Sequence, residues 1–226
     1  MQTLKFIGRG SAFNVKEGNT AAYYKSNDYM LLIDCGSNIF ERILKNNLLD
    51  DVKEIYILIT HLHSDHMGSL SDLIYYCYYI LNIKPTVFFP TDKLDNILKE
   101  MGHTNEYDNL ERDIIDIHDI SFMPIKVSHL DNMNCFGYYL IIEDKDIWYS
   151  GDCNKFAPYT EDIHKFDEMY QDTSYKDYED NVHLSLKKLC EAVPKQYRNK
   201  VYCMHIDNDN LIEEAIKEGF NVVTVE

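Results

Sequence analysis

The chain has no run of 18 or more apolar residues, the length a bilayer-crossing helix requires. A membrane protein is not expected. It also lacks a basic excess: 22 Lys and Arg stand against 38 Asp and Glu, a formal net charge of −16. A broad nucleic-acid surface needs a stripe of Lys and Arg for phosphate contacts, so this balance argues against one. No C-x-x-C pair occurs among the six cysteines (Cys35, Cys77, Cys135, Cys153, Cys190 and Cys203). Scattered in this way, they read as reduced, buried thiols rather than a disulfide framework. Met1-Gln2-Thr3-Leu4-Lys5-Phe6 runs straight into a strand and lacks a signal-peptide pattern, so a cytoplasmic protein is expected. There is no linker, repeat or low-complexity run. The 226 residues suffice for one domain, residues 1–226, with a proper core.

What is present is concentrated at residues 61–66, which read His61-Leu62-His63-Ser64-Asp65-His66. They follow an apolar run (Ile55, Ile57, Leu58, Ile59) that reads as a buried strand. Four side chains able to bind a metal thus fall within six positions. Neutral imidazole and carboxylate suit Zn²⁺, Mn²⁺ or Fe. A single ion cannot easily use all four groups from so short a stretch. The spacing points to two ions, with His61 and His63 on one and Asp65 and His66 on the other.

Strands and helices alternate along the chain. Strands are expected at Leu4–Gly8, across Ala21–Asp34 with a turn at Asn27-Asp28, and at Val52–Thr60, Thr86–Phe89, Phe122–Val127, Phe136–Ile142, Ile147–Tyr149, Lys200–Ile206 and Asn221–Val225. Helices are expected over Ile39–Leu49, from Leu70 to Leu81, over Leu94–Met101 with Thr91 as N-cap, and over Leu184–Val193 and Leu211–Gly219. Residues 102–119 carry no clear period. The acidic, aromatic stretch Phe166–Asp180 reads as a solvated loop, or as one that shapes a substrate mouth or a dimer contact. The order fits two sheets packed face to face with helices outside, and metals on loops at a strand-end edge.

The six-residue motif resembles that of the metallo-β-lactamase fold superfamily, and further pieces occur in that family's order. They are Ser128-His129 after Pro124–Val127, Ser150-Gly151-Asp152 after Ile147–Tyr149, and His205 after Val201–Met204. Upstream, Asp34-Cys35-Gly36 looks like the strand-ending D-x-G whose Asp buttresses the ligand loop. The resemblance implies an α/β fold, an αββα sandwich of two mixed sheets with helices on the outer faces. It implies two divalent ions, Zn²⁺ first and Mn²⁺ or Fe²⁺ as alternatives. His61, His63 and His129 would hold one ion, and Asp65, His66 and His205 the other. Asp152 would bridge both, and Asp34 would stand behind them. A metal-bound hydroxide would be the nucleophile, with Asp65 helping to orient it.

The substrate class turns on His183, in Asn181-Val182-His183-Leu184-Ser185, 22 positions before His205. The ribonuclease Z and cyclic-phosphodiesterase branch is similar: it carries a non-ligand His in such a context, which protonates the leaving oxygen. Gly8-Arg9-Gly10-Ser11 also resembles that branch's first loop. Read without the resemblance, His183 is a helix-capping or surface histidine. Ribonuclease Z inserts a long tRNA-gripping arm between its lone ligand His and bridging Asp. Here His129 and Asp152 are 23 positions apart, filled by two strands and a turn. A small cyclic phosphodiester, such as a cyclic nucleotide, is therefore the expected substrate. The alternatives are a metal-dependent nuclease, a thioester or lactone hydrolase, and a weaker iron redox reading. The branch often forms homodimers. Cys153 reads as a buried structural thiol and His103 as a solvated loop residue or a pocket lining. His118 and His164 read as structural. Tyr75 and Tyr107 are candidates for stacking on a base.

Overall fold

The computed structural model describes residues 2–26, 28–110, 115–156 and 160–225; Asn27, half of the expected turn, lies outside them. The first sheet runs β1 (Lys5–Gly8), β2 (Ala21–Ser26), β3 (Tyr29–Ile33), β4 (Glu54–Leu58), β5 (Thr86–Phe88) and β6 (Asp108–Asn109) in spatial order. α1 (Ile39–Lys45) links β3 to β4. α2 (Ser64–Met67), α3 (Leu70–Tyr76) and a π-helical turn (Cys77–Leu81) lie between β4 and β5, and α4 (Lys93–Glu100) follows β5. The second sheet runs β7 (Ile115–Ile117), β8 (Ile120–Lys126), β9 (Phe136–Ile142), β10 (Lys145–Tyr149), β11 (Glu168–Asp172), β12 (Val201–Met204) and β13 (Asn221–Val222). α5 (Leu186–Ala192) joins β11 to β12 and α6 (Asp209–Lys217) joins β12 to β13.

Both sheets change character midway. β1–β3 and β7–β10 pair antiparallel, whereas β3–β6 and β10–β13 pair parallel. Parallel neighbours need crossovers, and helices supply most of them. Alternation along each strand divides the side chains between two cores. In β3, Tyr29, Leu31 and Ile33 face the second sheet, and Met30 and Leu32 face the helices. In β10, Ile147 and Tyr149 face inward while Trp148 packs outward with α5 and α6 residues such as Leu189 and Leu211. Three apolar clusters therefore separate four layers: helices, sheet, sheet, helices. This is the expected αββα sandwich of two mixed sheets.

Several local expectations need correction. Phe166–Asp180 is not a solvated loop throughout. Its first part forms β11, a strand buried along its whole length. Glu168, Gln171 and Asp172 hid it by breaking the apolar pattern, but each is buried with specific partners. The unpatterned stretch 102–119 contributes the short strands β6 and β7. Thr91 does not cap α4: Asp92 holds that position, and the Thr91 hydroxyl is buried with no partner among the described residues. β9 and β10 close through Glu143 and Asp144, both left-handed (φ 52° and 60°), as in a two-residue type I′ hairpin. No arm intervenes between His129 and Asp152. Among the described residues no helix is long and apolar enough to cross a membrane.

Candidate active site

Six strands deliver side chains to one edge of the sandwich. β3 leads into Asp34, β4 into Thr60–His66, β8 into His129, β10 into Asp152 and β12 into His205, and β11 ends on Asp172. Asp34 and His205 adopt left-handed backbone (φ 66° and 61°), a strain of about 1–3 kcal/mol each for non-glycine residues. Their hydrogen bonds hold them there. The Asp34 N–H donates to the Leu58 carbonyl at 2.8 Å, and its carboxylate accepts from the Thr60 N–H (2.8 Å) and hydroxyl (2.9 Å). Gly151 is also left-handed (φ 57°), and a Cβ there would lie 2.6 Å from the Phe136 carbonyl oxygen.

The structure brings all seven expected ligands together. His61, His63, His129 and Asp152 form one group; Asp65, His66, Asp152 and His205 form another. Asp152 belongs to both. Its oxygens lie 3.2 Å from His66 Nε2, 3.5 Å from His205 Nε2, 3.8 Å from His61 Nε2 and 3.9 Å from His129 Nε2. Donors about 2.1 Å from one tetrahedral ion sit about 3.4 Å apart, so the spacing suits divalent cations.

The hydrogen bonds behind the imidazoles suit the same reading. Nδ1 of His61 meets the Thr60 hydroxyl (3.1 Å), that of His66 meets Asp34 (2.8 Å) and that of His129 meets the Val182 carbonyl (3.0 Å). Nδ1 of His205 lies 3.4 Å from Asp172. Each ring thereby turns Nε2 inward, the arrangement that orients metal-binding histidines. His63 is the exception: its Nδ1 lies 2.9 Å from His61 Nε2. Nε2 of His129 is buried with no hydrogen-bond partner among the described residues. Leaving such an atom unpaired costs about 1–3 kcal/mol, and a cation would satisfy it.

The electrostatics are those of a cation-ready cage. Burial works against the charge on Asp152, yet the His205 and His66 rings overcome it and hold the carboxyl well below its ordinary range. Asp65 is likewise held low, against burial, by hydrogen bonds with His205 and His66. Burial and the neighbouring His66 drive His61 well below the ordinary histidine value. Burial lowers His205 too, but Asp152 and Asp172 lift it to about 10.

His183 lies beside this cage without belonging to the two groups that share the expected ligands. Its Nδ1 is 2.7 Å from Asp172 Oδ2, and its ring stacks on His205 at 4.8 Å. Burial lowers its pKa, and Asp172 reverses that into a net rise. Ser185, the third residue of His183-Leu184-Ser185, is the N-cap of α5 and accepts from the Lys188 N–H. Asp172 is the residue that sequence reading missed. It is fully buried and also accepts from the Cys153 N–H at 2.9 Å. Its signal was Asp172-Thr173 at the end of Met169-Tyr170, obscured by the acidic run that follows. A cavity of about 530 Å³ opens over His63, Asp65, His129, Asp152, His183 and His205.

Other candidates fall elsewhere. His103 neither lines this cavity nor faces solvent. It is buried, stacked on Tyr75 at 4.0 Å, with Nε2 2.8 Å from the Ser71 hydroxyl. Tyr75 and Tyr107 pack on His103, and neither lines the cavity. Cys153 is buried, accepts from Gln171 Nε2 at 3.1 Å and has its pKa pushed by burial up to about 12, as a structural thiol should. His118 stacks on Tyr29, and His164 is exposed.

Gly36 connects the Asp34 turn to the ligand helix α2. A Cβ on it would collide with the Asp65 carbonyl. Gly36→Ala is expected to cost about 1–3 kcal/mol of stability through overpacking and to weaken metal affinity by moving Asp65 and His66. Denaturant unfolding and metal titration would measure both, and wild-type affinity would contradict the expectation.

Such a fold with such a site defines a metal-dependent hydrolase of the metallo-β-lactamase fold. Solved structures agree on the fold. The metallo-β-lactamase fold protein YhfI from Bacillus subtilis superposes with a TM-score of 0.77 at 15% identity, covering 99% of this chain and 95% of that one. A diphosphatase of the PhnP family gives 0.77 at 18% identity, covering 98% and 94%. Within this class the chain belongs to the anti-Pycsar protein Apyc1 family, whose sequence model matches residues 2–224. The anti-Pycsar protein Apyc1 of Bacillus phage BSP38 is 26% identical over 243 residues, spanning 96% of this chain and 93% of that protein.

Proposed function

We propose that this protein is a two-metal phosphodiesterase that opens a small cyclic phosphodiester, a cyclic nucleotide. The observation that carries the reading is the His183–Asp172 pair at 2.7 Å, beside Asp152 and lining the same cavity as the ligand cage. Thioester hydrolysis has less need of a proton donor there, because a thiolate leaves readily. An alkoxide leaves poorly and needs a general acid. The cavity volume suits a small ligand, and the direct β9–β10 hairpin leaves no arm to grip tRNA. Membership of the anti-Pycsar protein Apyc1 family is compatible with this reading.

In this reading His61, His63 and His129 would hold one ion, Asp65, His66 and His205 the other, and Asp152 would contribute to both. Zn²⁺ suits this all-imidazole and carboxylate set, and Mn²⁺ or Fe²⁺ would also be accepted. Divalent ions bound there would supply an activated water and the positive charge that clamps the phosphoryl oxygens. Asp65 orients the attacking water. The water's oxygen joins phosphorus as one of its protons passes to solvent, the phosphorus–ester oxygen bond breaks, and His183 gives the departing ester oxygen a proton. Asp172 accepts the His183 Nδ1 proton in a hydrogen bond, fixing the ring so that Nε2 carries the proton to be given. The product is a nucleoside monophosphate, and the water's remaining proton restores His183.

The test is a panel of 3′,5′-cyclic nucleotides with metal-loaded protein, run beside a tRNA precursor and an acyl thioester. Cyclic nucleotides are expected to open to monophosphates, and chelation is expected to abolish that turnover until Zn²⁺ or Mn²⁺ is returned. Cleavage of the RNA or thioester with no cyclic-nucleotide opening would refute the reading.

A further inference from the structure

Two exposed aromatic side chains line the same cavity as the histidine cage without belonging to it. Phe13 is 95% exposed and Tyr178 is 56% exposed, and both line the cavity. Neither contributes to the core, and the chemistry described above uses neither. Exposed apolar rings on a pocket rim leave favourable burial unrealised until a ligand covers them.

Their loops are anchored at one point, the segment that carries His205. On the Phe13 side, the Ser11 N–H donates to the Ile206 carbonyl at 3.0 Å, and Asn14 Nδ2 donates to the same oxygen at 2.9 Å. The Ile206 N–H returns a bond to the Arg9 carbonyl at 2.7 Å. On the Tyr178 side, the Tyr175 N–H donates to Asp207 at 2.9 Å. Asn181 closes that loop through Ser174 (2.9 Å) and the Lys176 carbonyl (3.0 Å). The two loops that carry the rings are therefore tied to the His205 segment, although they lie far apart in sequence. Glycines Gly8 and Gly10 make the first anchor possible: a Cβ on either would press against backbone atoms of residues 14–19.

We propose that Phe13 and Tyr178 are the base-holding part of the site, stacking on the nucleobase while the phosphodiester lies over the histidine cage. This rests on the cyclic-nucleotide reading and adds a specificity rule to it. Every nucleobase has a π-face, so stacking grips purines and pyrimidines alike, with little readout of base edges. The enzyme then prefers cyclic phosphates that carry a base over those that lack one.

The experiment compares KM and kcat for cyclic nucleotides and for the abasic analogue ribose 3′,5′-cyclic phosphate. Wild type is set beside Phe13→Ala, Tyr178→Ala and the double variant. Stacking is worth about 5- to 150-fold per base, so the wild-type KM for nucleotides is expected to lie at least about 10-fold below that for the abasic analogue. In the double variant that ratio is expected to fall towards one through a rise in nucleotide KM, and Phe13→Tyr and Tyr178→Phe are expected to keep most of it. A wild-type ratio near one, or a ratio unmoved in the double variant, would overturn the base-holding role and leave the phosphodiesterase reading intact. Wild type that opens no cyclic nucleotide at all would overturn both.

Discussion

Asp152→Ala is expected to abolish tight binding of both ions and to slow turnover by about 10⁴-fold or more, the scale of metal assistance to a water nucleophile. The expectation follows from the reach of one carboxylate. Asp152 is buried, and its two oxygens lie within 3.2–3.9 Å of His61, His66, His129 and His205. No other acidic side chain belongs to both expected ligand groups. Without it, the first group keeps only neutral imidazoles and the second keeps Asp65 as its sole carboxylate. Asp152→Asn preserves the volume while removing the charge, so it separates loss of ligation from loss of packing. Elemental analysis after dialysis reads the stoichiometry and kcat reads the chemistry. Two ions retained at wild-type affinity in both variants would end the shared-ligand assignment.

His183→Ala is expected to lower kcat by about 10²–10⁴-fold while metal content stays at the wild-type level. Asp172→Asn is expected to fall in the same range. A carboxylate holds an imidazole in one tautomer and favours its charged form; an amide does neither. Leaving-group chemistry distinguishes this role from a structural one. A phosphodiester with a p-nitrophenolate leaving group needs no proton donor, so both variants should recover most of their lost rate on it. A structural defect would depress both substrates alike. Unchanged cyclic-nucleotide turnover in His183→Ala would remove the general-acid role altogether.

The sequence made the clustering of the proposed ligands legible because each of them follows a strand. Where an apolar run stops at Ser128-His129, Gly151-Asp152 or His205, the strand-end edge is already implied, and four ligands lie within six positions after β4. The sandwich was legible for the same reason, since the strands alternate cleanly between two apolar faces. Asp172 was not legible. It ends a strand whose buried polar residues depend on partners far away in sequence: Glu168 on Thr3, Gln171 on Cys153 and Asp172 on His183. Composition alone reads such a segment as solvated. His103 escaped likewise, because only tertiary packing brings Ser71 and Tyr75 around it. Phe13 carried no signal beyond its type; Tyr178 lies in the aromatic stretch read as a solvated loop or a substrate mouth, but nothing singled it out there, since loop anchoring sets its position.

The proposed ligands are drawn from both sheets. His61, His63, Asp65 and His66 follow β4 of the first, whereas His129, Asp152 and His205 follow β8, β10 and β12 of the second. Each ion so held is a cross-brace between the two halves of the sandwich, and ion occupancy and folding become linked equilibria. A free ion concentration about 1,000 times its dissociation constant adds roughly 4 kcal/mol per site to the folded state. That is a large share of the 5–15 kcal/mol that keeps a typical domain folded. A cell that withholds the metal would then shorten the lifetime of this protein as well as silence it, through easier unfolding and proteolysis.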